Sequence, residues 1–319
     1  MAIPLLIDTD PGIDDALALL LALRSPECSV EAVTTVAGNA PVDRCARNVF
    51  RILDAARPPR RPPVGQGVVT PLTRPLVSAP HVHGEDGLGD LDRLRNPDGT
   101  PRYPEPAVTL SGSDGPDLIL ETVARFPDEL VLVALGPLTN LAVALREDSA
   151  LMRRVRRIVI MGGAIGAPGN VTPAAEFNFY VDPEAAAYVL AGGLPIEMVP
   201  LDVTRQVVLE RAALDARIAP LSGRLWEFIA DFTRRGFDFS AEIGESGITL
   251  HDPLAVGVAL DPSLVAFEPF HVEIECAGTL TRGMSLADRR PLSSDRKAPA
   301  NCRVATSVDA PRFLSFFLD

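Results

Sequence analysis

The chain has 319 residues, 47% of them apolar, which suits one large α/β domain or two smaller ones with a substantial core. Its formal net charge of −12 disfavours a nucleic-acid polymer or an anionic membrane as partner. No stretch reads as a secretory signal or a membrane span, and the scattered cysteines (Cys28, Cys45, Cys276, Cys302) lack zinc-ligand spacing, so a reducing cytoplasm is expected.

Residues 3–7 form a short apolar run, as expected of a buried parallel strand, and residues 16–23 carry the strong formers of a buried helix. The turn between them holds Pro11 and Gly12 and crowds together Asp8, Asp10, Asp14 and Asp15. In an open parallel sheet such a turn lies at the carboxyl end of the strands, where ligands bind. Acids this close repel one another, and a helix N-terminus offsets only part of their charge. Any one of them suits a helix cap or a first helical turn. For Asp10, Asp14 and Asp15 together, a divalent cation with hard oxygen ligands, calcium or magnesium, is the simplest missing partner.

Residues 30–36 read as a second strand, Val42–Ala56 as a helix, and residues 57–63 as a stiff proline-rich connector. Residues 70–106 are rich in Pro, Gly and Asp and long for a loop, which is typical of a lid or of disorder. His81 and His83 sit near its centre. Further strands are expected over residues 130–135, 156–161 and 196–201, alternating with helices over 118–126, after Gly136, and from Asp182-Pro183 onward. Residues 221–239 form an amphipathic helix, His251-Asp252-Pro253 opens another, and residues 310–318 close the chain as a helix. The stretch after Ser263 alternates like a small β meander. Strand and helix alternate through about residue 200, so the expected fold is α/β: an open, mostly parallel Rossmann-like sheet flanked by helices, with a small C-terminal β extension, in a single domain over 1–319.

Three other groups carry chemistry in principle. Asn170, Glu176 and Asn178 offer donors and acceptors for sugar hydroxyls, although each also suits a turn. His251 and Asp252 could supply a general acid and a metal carboxylate, while Asp252 before Pro253 equally suits a helix N-cap. The glycine run 161–166 follows a strand but does not fit a dinucleotide fingerprint, and no phosphate loop is present. Phe237 and Phe239 could face a ligand or simply pack.

Together these residues resemble one family. Asp8-Thr-Asp10-Pro-Gly-Ile-Asp14-Asp15 is similar to the N-terminal signature of the inosine/uridine-type nucleoside hydrolases. The resemblance continues, in family order, through Thr35-Val-Ala-Gly-Asn39, His81-Val-His83-Gly-Glu, Gly136-Pro-Leu-Thr-Asn140 and Met161-Gly-Gly163. Ala175-Glu-Phe-Asn178, Asp182-Pro-Glu-Ala-Ala186 and His251-Asp-Pro253 complete it.

What the resemblance implies is a calcium-dependent hydrolase that cleaves ribonucleosides to ribose and free base. Calcium would be held by Asp10, Asp15, Asp252 and the backbone carbonyl of Leu135. Asp10 would be the general base and His251 would assist the departing base. Asp14, Asn39, His83, Met161, Asn170, Glu176 and Asn178 would contact the substrate. A homodimer or homotetramer is implied, with no membrane or nucleic-acid partner. Two alternatives stand beside this reading. A haloacid-dehalogenase-like phosphatase would use Asp8 and Asp10 but needs a downstream lysine, and the single lysine is Lys297. A non-catalytic nucleoside- or ribose-binding protein could share the scaffold.

Overall fold

The structure is a computed structural model in which residues 2–291 and 298–319 are described, so Lys297 lies outside the described residues. The chain enters through β1 (Ile3–Thr9), where Leu5, Leu6 and Ile7 are fully buried. Burial of each such side chain contributes roughly 1.5–3 kcal/mol. It continues through α1 (Ile13–Arg24), β2 (Cys28–Thr35), α2 (Val42–Ala56) and β3 (Val64–Gln66). The long segment that follows holds a short α3 (Pro80–His83) and a 3-10 turn at Leu91–Arg93. It is not a loose loop, since His83, Asp86, Leu88 and Leu91 are buried.

Next come α4 (Gly115–Arg125), β4 (Val131–Ala134), α5 (Thr139–Glu147), α6 (Ser149–Met152), β5 (Arg157–Met161), α7 (Phe177–Val181) and α8 (Pro183–Leu190). The Asp182 carboxylate caps α8 by accepting from Ala185 N–H, with Pro183 at the first helical position as expected. The chain then runs through β6 (Ile196–Val199), α9 (Leu201–Thr204), β7 (Val208–Glu210), α10 (Arg211–Ile218) and α11 (Arg224–Glu242). Last come β8 (Gly247–Thr249), α12 (His251–Leu260), β9 (Val265–Phe270), β10 (Val272–Ile274), β11 (Ser285–Ala287), β12 (Cys302–Val308) and α13 (Ala310–Leu318).

The main sheet has strand order β3-β2-β1-β4-β5-β6-β12-β9, parallel throughout except that β9 runs antiparallel to β12. The chain leaves β1 toward β2 on one side and returns as β4 on the other, so β1 and β4 flank the switch point. Ligands bind outside the carboxyl ends of strands at such a point. Apolar cores cover both faces: α1, α2, α11 and α12 on one, and α4, α5 and α8 on the other. The segment after Ser263 is more than a separate meander. Its first and last strands extend the main sheet, and only β10 and β11 pair as an independent ribbon. Among the described residues no helix is long and apolar enough to cross a membrane.

Candidate active site

The acids converge where the topology places them. Asp10 follows β1 directly and is fully buried, and its Oδ2 accepts from Asn39 N–H at 2.7 Å. Its Oδ1 is buried without a hydrogen-bond partner. The carboxylate lies in a cradle of glycines: a Cβ at Gly38 would stand 2.0 Å from Oδ2, and one at Gly136 would stand 2.6 Å from Oδ1. Only glycine at both positions leaves room for this side chain.

Asp15, in the first turn of α1, accepts from Thr9 Oγ1, from Gly12 N–H at 2.9 Å and from Asn39 Nδ2 at 3.1 Å. The bond from Gly12, the N-cap residue, also stabilises the start of α1, so Asp15 serves the helix and the site together. Asp252 arrives from the far side of the sequence, on the first turn of α12, and is buried. It is not the N-cap that its place before Pro253 suggested. The cap position is Leu250, which offers no side-chain bond. Carboxylate oxygens of Asp14, Asp15 and Asp252 lie within 4.8 Å of one another. This trio contains Asp14, which the resemblance sets on the substrate. Asp10 stands beside it.

Burial is the first cause that raises the pKa of each of these acids. Asp14 is pushed up to about 7 by burial and then by the charge of Asp15. Asp10 and Asp252 are raised well above the usual carboxylate range, by burial and then by the neighbouring carboxylates, and Asp15 is raised by burial despite the bonds from Thr9 and Gly12. The charges that most affect these acids are one another's, with no cation among the leading causes. Clustered carboxylates, one unpartnered buried oxygen and no cationic side chain among the leading influences of the described residues fit a divalent ion with oxygen ligands.

Asp8 has a different place. Its Oδ1 accepts from Thr34 Oγ1 at 2.6 Å and from Asn140 Nδ2 at 2.7 Å, and burial pushes its carboxyl up to about 7. The same Asn140 amide donates to Thr35 O and accepts from Val68 N–H. Asp8 and Asn140 thus tie the carboxyl ends of β1 and β2 to α5.

The polar wall is built from α7 and the ends of β4 and β5. Glu176 caps α7: its carboxylate accepts from the N–H groups of Gly163, Asn178 and Phe179 at 3.0, 2.8 and 3.2 Å. Asn178 Nδ2 donates to Leu135 O at 2.6 Å and to Met161 O at 3.2 Å, joining both strand ends. Asn170 is exposed, and its Oδ1 accepts from Phe177 N–H at 2.9 Å, the turn role that its sequence context allowed.

Two histidines adjoin the acidic segments, His83 through the backbone of Ile13 and His251 as the residue before Asp252. His83 Nδ1 accepts from Ile13 N–H at 3.1 Å, and burial holds this ring far down, at about 3. His251 opens α12 with its Nδ1 2.7 Å from Thr204 Oγ1, and burial followed by the Arg205 charge lowers it to about 4. Thr204 escaped the sequence reading, because nothing local distinguishes a threonine that acts through a partner 47 residues away. Phe237 packs in the core, whereas Phe239 lies edge-to-face with His81 at a ring separation of 6.0 Å.

The family described as "Inosine-uridine preferring nucleoside hydrolase" matches residues 5–315. The chain belongs to that family. The pyrimidine-specific ribonucleoside hydrolase RihA of Salmonella schwarzengrund is 38% identical over 325 residues, covering 100% of this chain and 98% of that protein. Among solved structures, the plant nucleoside hydrolase PpNRh1 superposes with a TM-score of 0.88 at 33% identity, over 99% of this chain and 98% of that one. A purine-preferring ribonucleoside hydrolase from Gardnerella vaginalis gives a TM-score of 0.89 at 32% identity, over 99% and 96%. As a nucleoside hydrolase, the protein cleaves the N-glycosidic bond of ribonucleosides. That activity sets aside both the phosphatase and the non-catalytic binding alternative.

Proposed function

We propose that this nucleoside hydrolase is a calcium enzyme acting on pyrimidine ribonucleosides, with Asp10 as general base and His251 assisting the departing base. The observation that carries the reading is the unpartnered, buried Oδ1 of Asp10 beside the Asp14, Asp15 and Asp252 trio. Asp10, Asp15, Asp252 and the Leu135 carbonyl would hold the ion, with Asp14 close enough to share it. An ion held there would lower the pKa of a water and orient it. Asp10 would take a proton from the attacking water, the glycine cradle holding its carboxylate in place.

Asp14, Asn39, His83, Met161, Asn170, Glu176 and Asn178 are assigned to the substrate. The acidic lining favours the positive charge that builds on ribose as the glycosidic bond lengthens. Of these residues, Glu176 and Asn178 bond heavily to backbone, so they would present fixed rather than mobile polar atoms to the sugar. Exposed Asn170 is the outermost of the set. In the tautomer in which His251 Nδ1 accepts from Thr204, the neutral ring would carry its proton on Nε2 and would donate it to the leaving base.

The pyrimidine assignment is supported by the RihA relatives, at 37–38% identity over the whole chain. Release of reducing sugar from uridine, cytidine, inosine and adenosine tests it. Uridine and cytidine are expected to lead, and inosine or adenosine in front would refute the assignment. For His251→Ala, kcat/KM on uridine is expected to fall by ~10²-fold or more, the scale of general-acid catalysis. On a 4-nitrophenyl riboside, whose leaving group needs no proton, the loss should be far smaller. Equal losses on both substrates would remove His251 from the leaving-group role. We also take residues 1–319 as one cytoplasmic domain that assembles as a homodimer or homotetramer. The single-domain reading is supported by a main sheet that draws strands from both ends of the sequence.

A further inference from the structure

Asn48 is a fully buried amide in the interior of α2, where asparagine is a poor helix former and caps nothing. Its Nδ2 donates to two main-chain carbonyls that are far apart in sequence: Pro11 O at 3.2 Å and Asp86 O at 3.0 Å. Pro11 belongs to the turn between Asp10 and Asp14. Asp86 belongs to the turn that follows His83. Only the nitrogen end of the amide can face two carbonyl oxygens, so its orientation is fixed by its surroundings.

One helical turn later Arg51 holds the other side of the same segment. Its guanidinium pairs with Asp92 and lies 3.7 Å from the Asp86 carboxylate. Asp86 in turn accepts from Leu88, Asp90 and Asp92 N–H at 2.8, 2.9 and 2.9 Å, folding residues 86–92 into a compact turn. The two bridged segments also meet directly, through the bond from Ile13 N–H to His83 Nδ1. At Gly12 the approach is so close that a Cβ would stand 2.5 Å from that ring nitrogen.

We propose that Asn48 is a positioning residue of the active site, a brace that sets the acidic turn against the His83 segment. It touches neither carboxylate nor imidazole, and acts through the backbone that carries both. This rests on the acidic turn being the metal-binding turn of the hydrolase. Partners that orient metal ligands from behind typically matter by about 10–100-fold in metal affinity. A displacement of about 1 Å in a reacting constellation can cost ~10²-fold in rate.

The test uses Asn48→Leu, which removes the donors while keeping bulk, and Asn48→Asp, which keeps the shape but exchanges the two N–H donors for a carboxyl that can bridge only one carbonyl. Calcium affinity is measured by calorimetry on the metal-stripped protein, and kcat and KM on uridine at saturating calcium, normalised to the folded fraction. For whichever variant folds, calcium is expected to bind about tenfold more weakly or worse. A kcat that stays lowered at saturating calcium, with KM changing less, would mark misplacement rather than simple metal loss. Wild-type calcium affinity and wild-type kcat per folded molecule in either variant would overturn the proposal and leave Asn48 a structural residue only. Failure of the wild-type protein to bind calcium or to cleave uridine would instead refute the parent reading, so the two failures are separable.

Discussion

Asp10→Asn is expected to lower kcat on uridine by roughly 10³-fold, within the range that general acid–base catalysis supplies, while leaving the fold intact. The amide can still accept from Asn39 N–H through its oxygen, so the turn keeps its shape. What it loses is a charged, basic oxygen at the position where Oδ1 has no partner in the protein. Steady-state kinetics with a melting curve separate the two effects. Because Asp10 repels Asp14 and Asp15, the metal-free variant should melt no lower than the metal-free parent. Near-normal turnover in Asp10→Asn would move the base elsewhere. A large loss of stability would make Asp10 a structural acid.

The second large effect belongs to the ion. In the metal-free protein Asp8 and Asp14 are raised from 3.8 to about 7, and Asp10 and Asp252 are raised as well, each mainly by burial. Over that window the folded chain holds protons that the unfolded chain has already released. Stability contributed by these acids is therefore fully present below about pH 4 and is lost progressively as pH rises toward 7 and beyond. On the proposed reading calcium would replace the protons of Asp10, Asp14 and Asp252, so its binding would strengthen over the same window. At a concentration 1,000 times its Kd it would add about 4 kcal/mol to the folded state. Urea unfolding at pH 5 and pH 8, with calcium or with chelator, is expected to show a small calcium effect at pH 5 and a large one at pH 8. Equal effects at both pH values would mean that the ion binds away from these acids.

Much of this architecture was legible in the sequence because its signals are local. The apolar run before Asp8 and the helix formers after Asp15 specify β1 and α1, and the turn chemistry of Asp182-Pro183 specifies the start of α8. Val42–Ala56 and Ala310–Leu318 form helices over the expected residues. The three-residue strands β3, β7 and β8 escaped notice, since runs so short carry no periodicity and form only because a partner strand lies alongside. The pairing of β12 with β6 and β9 was illegible for the same reason: what decides it is contact across the fold.

The candidate site divides along the same line. Asp10, Asp14 and Asp15 announce themselves as a cluster within one turn. Asp252 reads as an ordinary helix start until α12 brings it to Asp14 and Asp15. Thr204 and Asn48 have no sequence signal, because each works through a partner forty or so residues away.

Metal dependence is decided by ribose release from uridine by the protein stripped of metal and then titrated with calcium. Stripping is expected to abolish release and calcium to restore it, saturating as the site of Asp10, Asp15 and Asp252 fills. Undiminished release in the presence of chelator would contradict that dependence.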